Sequence, residues 1–152
     1  MTKSALLLLA AILPLLCAAD NKCPWLNAAT AAGLLGGAVK VDVAQTTCEF
    51  VRRYDSTEST LRLSVETLST PREFASRVAQ CGSNTEALKA IGNEAVACTH
   101  SSKNGQLAEQ VVGRVRNQVF LVRVSSDDHA ATAAGLREKA RKIAEQIAGF
   151  LF

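Results

Sequence analysis

Four cysteines, Cys23, Cys48, Cys81 and Cys98, are spread along the chain with no Cys-x-x-Cys among them. A zinc ribbon or a redox-active pair needs thiols set close together, so neither fits this spacing. What does fit is the cross-linking of a small exported domain, for which four cysteines allow three connectivities. These four positions tie any fold together at two points.

The fifth cysteine, Cys17, belongs to a different segment. Lys3 supplies one positive charge, an apolar run from Ala5 to Leu16 follows, broken only by Pro14, and Cys17-Ala18-Ala19 closes it with small residues. This is the outline of a signal peptide over residues 1–19, cut after Ala19. The run of about 12 apolar residues is shorter than the roughly 20 that span a bilayer, and Leu16 stands where lipidation at Cys17 would need a small residue. Residues 20–152 are therefore expected to form a single domain, exported to the periplasm or secreted, with no integral membrane segment after cleavage. That portion holds 16 basic and 14 acidic residues, a net charge of +2. So small an excess argues against nucleic-acid binding, which needs a concentrated basic surface. A membrane barrel ending at Phe152 would need more and longer alternating strands than the chain contains.

Hydrophobic periodicity sets the elements. Asn27 caps a short helix over 28–35, with Gly36-Gly37 as its stop. Val39, Val41 and Val43 alternate as a first strand. Residues 47–68 read as a hairpin around Asp55-Ser56-Thr57-Glu58, with Cys48, Phe50, Leu61, Leu63 and Val65 on its dry face and Glu49, Arg53, Arg62 and Glu66 on its wet one. Thr70, Pro71 and Glu73 start a second helix that runs to about Gln80, whose stripe Phe74, Val78, Cys81 is closed by Gly82. Residues 83–93 suit either a short helix or a loop. Residues 95–99 read as a strand, and 101–105 as a turn. A second hairpin spans 107–124 around Asn117-Gln118, with Val111, Gly113, Val115, Phe120, Val122 and Val124 on one face. Its other face carries Arg114, Arg116 and Arg123 among Val112, Val119 and Leu121. A last helix, expected to start near Asp127-Asp128 and run to about Gly149, presents Ala133, Leu136, Ala140, Ile143, Ile147 and Phe150.

The fold expected from this order is α+β, an antiparallel sheet of about five or six strands with helices packed on one face. Each half offers a cysteine at a helix end and another on a core-facing strand, which favours the disulfides Cys23–Cys48 and Cys81–Cys98. The opening Cys23-Pro24-Trp25-Leu26-Asn27 through Leu34-Leu35-Gly36-Gly37, followed by Cys48-Glu49-Phe50, resembles small exported bacterial proteins of unknown function. Ile91-Gly92-Asn93-Glu94-Ala95, the later hairpin and the final helix are similar to PsbP-like domains. The resemblance implies export and a PsbP-like fold, and it carries over no catalytic residues.

Chemistry is sparse. His100 follows Cys98-Thr99 and His129 follows Asp127-Asp128, but neither cluster has helix-registered metal-ligand spacing, so no metal site and no cofactor is expected. No Gly-x-Ser-x-Gly elbow or phosphate loop occurs, and no catalytic residue is assigned. Trp25 reads as an anchor of the first helix to the core. The expected function is a non-enzymatic, monomeric binding or accessory domain, whose Arg114, Arg116 and Arg123 would hold an acidic protein segment or an anionic ligand. A small hydrolase using His100 or His129 and a secreted inhibitor or effector are the alternatives.

Overall fold

The computed structural model describes residues 22–81, 83–101 and 106–152. The elements run α1 (Ala28–Leu35), β1 (Lys40–Ala44), β2 (Thr47–Tyr54), β3 (Thr57–Thr67), α2 (Pro71–Ala79), β4 (Ser83–Leu88), β5 (Glu94–Ser101), β6 (Leu107–Val115), β7 (Gln118–Ser126) and α3 (Ala133–Leu151). The class is α+β, as the sequence implied. All seven strands join one antiparallel sheet in the order β1-β2-β3-β7-β6-β5-β4. Each half of the chain is thus a meander, and the β3–β7 pairing welds the two together. The proposed signal segment, the Gly82 stop and residues 102–105 of the expected turn lie outside the described residues.

Period two along each strand separates the two faces. Phe50, Leu61, Leu63, Val65, Val111, Val115, Phe120, Val122 and Val124 are buried on one of them, beneath Ala31 and Leu35 of α1 and Leu136, Ala140, Ile143 and Ile147 of α3. Half-buried Trp25 packs against the same core, as expected. Gly113 matters here because it lies opposite Phe120, whose ring occupies the place that a side chain at 113 would take. The second face holds a smaller core, Leu68, Phe74, Cys81, Cys98, Val112 and Val119, and it is covered by α2. Helices therefore lie on both faces, where one was expected, because Val112, Val119 and Leu121 form an apolar patch among the arginines that the stripe of α2 buries. The disulfides join Cys23 to Cys48 and Cys81 to Cys98, with Cα separations of 5.8 and 5.9 Å. On the chain-entropy model, each contributes roughly 3 kcal/mol.

Other differences have local causes. Residues 83–88 form an edge strand, where a helix or loop was expected, since pairing with β5 outweighs a weak intrinsic preference. Both long hairpins turn in two residues, Asp55-Ser56 and Arg116-Asn117, with positive φ at the first (51° and 54°). The second turn is held there by long-range bonds: Asn93 Oδ1 accepts from the Arg116 amide at 2.6 Å, and the Asn117 carbonyl accepts from the Leu68 amide at 2.7 Å. The last helix begins at Ala133, because Thr132 caps it by accepting the Gly135 amide at 3.1 Å. Asp127 and Asp128 shape the turn before it, and Ala133 and Phe150 are exposed rather than part of its buried stripe.

One charged side chain among the described residues lies within the larger core. Glu109 is 0% exposed. Its carboxylate accepts from Arg137 Nε and from the Thr99 hydroxyl, both at 2.8 Å. Arg137 also donates to the Asn84 carbonyl at 3.1 Å, so the pair ties α3 to the β4 edge. Removing one member of such a buried pair leaves the other without compensation. Arg137→Ala is expected to lower the free energy of urea unfolding by about 3–5 kcal/mol. The double change Glu109→Leu with Arg137→Met should recover most of that loss, because it removes both charges together.

Candidate functional site

The antiparallel registers stack into rows that cross the whole sheet. On the α2 face, one row reads Cys98, Gln110, Arg123, Arg62, Glu49, Asp42. The next reads His100, Ala108, Ser125, Thr60, Val51, Lys40. The core beneath α2 occupies the neighbouring rows through Val112 and Val119 and reaches this pair only at Cys98. Arg123, Ser125, Thr60 and Val51 are consequently half-buried, and Arg62 is exposed.

The three arginines singled out by alternation separate in the structure. Arg114 is spent on structure: its Nε binds Glu94 at 2.6 Å, Nη1 donates to the Arg116 carbonyl at 2.9 Å, and its guanidinium lies 6.0 Å from the centre of the Phe74 ring. Arg116 stands in the hairpin turn, because that turn falls one residue earlier than Asn117-Gln118, and so it leaves the sheet face altogether. Arg123 remains on the face. Its real companion is Arg62, directly opposite on β3. The wet-face assignment of Arg62 is correct, but the β3–β7 pairing that places it there joins segments sixty residues apart and leaves no local trace.

The electrostatics of this pair are unusual. Opposed like charges on adjacent strands repel, yet neither guanidinium forms an ion pair among the described residues. Arg123 instead directs Nε and Nη2 to the Oε1 of buried Gln110, at 3.1 and 2.9 Å. Burial first, and the Arg62 charge second, push the Arg123 pKa down. Arg62 has no hydrogen-bond acceptor among the described residues, and Glu49, its neighbour on β2, forms no ion pair with it. Elsewhere on this face, charges are matched, as in Arg53–Glu58 at 2.8 Å, Lys40–Asp42 at 3.3 Å and Arg77–Glu66.

Among the described residues, the histidines do not assemble a catalytic group. His100 sits at the β5 end of the Ser125–Thr60 row and faces a cation, Arg123, rather than a carboxylate. His129 lines an open cavity of about 580 Å³ with Ser126, Asp127 and Asp128. Those neighbours are committed elsewhere: Asp127 accepts the Glu58 amide at 2.6 Å, Asp128 the Ala130 amide at 2.9 Å, and the Ser126 hydroxyl pairs with that of Ser59 at 3.0 Å. Among the described residues, no three of His, Cys, Asp and Glu are grouped to hold a metal ion.

Burial first, and the Arg123 charge second, hold the His100 pKa below the ordinary histidine value. An NMR titration should therefore find it below 6.5, the unperturbed value, and Arg123→Gln should raise it. The linkage runs from unfolded to folded: the unfolded chain takes up the proton first, so stability falls as pH drops through the unfolded value and levels off once folded His100 is itself protonated. His100→Asn should flatten that segment of the stability curve.

The chain matches no family model, no curated protein and no solved structure.

Proposed function

We propose that this chain is an exported, non-enzymatic binding domain, periplasmic or secreted, that engages an acidic protein partner through the open half of its α2-side sheet face. The observation that carries this reading is the Arg62–Arg123 pair. Two guanidiniums held opposite one another, with no carboxylate in ion-pair contact among the described residues, repel, and an anionic partner relieves that repulsion. Two disulfides are compatible with an oxidising compartment. Arg62 replaces Arg114 and Arg116 as the companion of Arg123 in this binding role.

Site-specific photo-crosslinking in the native host tests the reading. A crosslinking residue at Val51 or Lys40, in the same row beside the pair, is expected to capture a discrete partner, with capture reduced by added salt, as screening of an electrostatic contact requires. The same residue at Gln146, on the exposed side of α3, is expected to capture none. Capture from Gln146 alone would place the working surface on the opposite side of the molecule.

A further inference from the structure

We propose that Arg62, Arg123, Thr60 and Ser125 form a carboxylate subsite that receives an acidic side chain from an extended polypeptide segment. This rests on the binding role assigned to the face and specifies the chemistry that the face recognises. Arg62 opposes Arg123, and Thr60 opposes Ser125 one row away on the same two strands. Strand geometry puts these four positions at the corners of a rectangle of about 5 by 7 Å, with all four side chains on one face. Two forked cations and two hydroxyls at that spacing match the oxygens of a carboxylate.

The donors are available and one of them is held in place. Gln110 fixes Arg123 through Nε and Nη2, while its own amide donates to Cys81 Sγ at 3.6 Å, which anchors this clamp to the disulfide under α2. Arg123 Nη1, all the donors of Arg62, and the hydroxyls of Thr60 and Ser125 have no protein acceptor among the described residues. Half-buried Val51 flanks the rectangle beside Thr60, and half-buried Leu121, packed against the edge of the α2-side core, borders it beside Arg123. A polypeptide can use these apolar neighbours, whereas a small inorganic anion cannot. Charge complementarity with an acidic segment and apolar contacts beside the cations together select a polypeptide as the occupant.

The test is an NMR titration of the protein with a hexaglutamate peptide at about 10 mM ionic strength, where the screening length is about 30 Å. Hexaglutamate is expected to shift the Arg62 and Arg123 side-chain resonances and the Thr60 and Ser125 amides. Hexaglutamine is expected to leave them unmoved. Arg62→Gln with Arg123→Gln should weaken binding tenfold or more, while Lys139→Gln with Lys142→Gln on α3 should leave it unchanged. Arg62→Lys, at an exposed position, keeps the fold and the charge but loses the forked donor, so a weakening of about threefold or more is expected. Unchanged affinity in both arginine variants, or peptide shifts confined to other surfaces, would overturn the subsite. Inorganic sulfate binding as tightly as hexaglutamate would overturn the polypeptide assignment. Crosslinks at Val51 or Lys40 that persist in the double arginine variant would leave the wider binding role standing while removing this subsite.

Discussion

The antiparallel pairing of β3 with β7 is the contact on which the rest of the molecule depends. It joins a three-stranded meander to a four-stranded one and makes a single apolar face long enough for α1 and α3 to cover side by side. Without it, each meander would expose an edge strand and half a core. The same pairing sets Arg62 against Arg123, so the feature that gives this surface its chemistry is a by-product of the register that builds the fold. A shift of one residue along β7 would send Arg123 into the core and bring Val122 or Val124 to the surface. Burial of nine large apolar side chains on the opposite face makes that shift costly, and in this way the core fixes the site.

Polar groups are tolerated in the interior only where they are fully engaged. Glu109 survives beneath α3 because Arg137 and Thr99 saturate it, and no buried side-chain nitrogen or oxygen among the described residues is left without a hydrogen-bond partner. Gln110, next in the chain and pointing the other way, is buried on the α2 face, where it accepts twice from Arg123. Successive residues of β6 thus place one charge network in each layer. The first clamps the C-terminal helix, and the second holds a cation at the border of the open surface.

Much of the fold was legible from local pattern. Alternation identified the hairpin faces, including the wet-face position of Arg62, and the spacing Phe74, Val78, Cys81 located the third cysteine on a buried stripe. The Asn27 cap and the Gly36 stop of α1 are present, the stop with φ of 82°. Hidden from the sequence was whatever depends on partners distant along the chain. The turn at Arg116-Asn117 is held by Asn93 and Leu68, and the strand at 83–88 exists through β5. The covering of the second face by α2 follows from an apolar patch that was visible but interleaved with an equal number of arginines. The candidate site shared this fate: Arg123 was identified, whereas Arg62 needed the β3–β7 register and Gln110 needed the hydrogen-bond geometry.

That register is open to direct measurement. In a backbone NOE map of the oxidised protein, cross-strand contacts between β3 and β7 should place Arg62 opposite Arg123, flanked by Thr60 with Ser125 and Ser64 with Leu121. Contacts that instead join Arg62 to Leu121 or Ser125 would contradict the account because the guanidiniums would no longer be opposed, and an absence of contacts between these strands would contradict it because the single sheet would be lost.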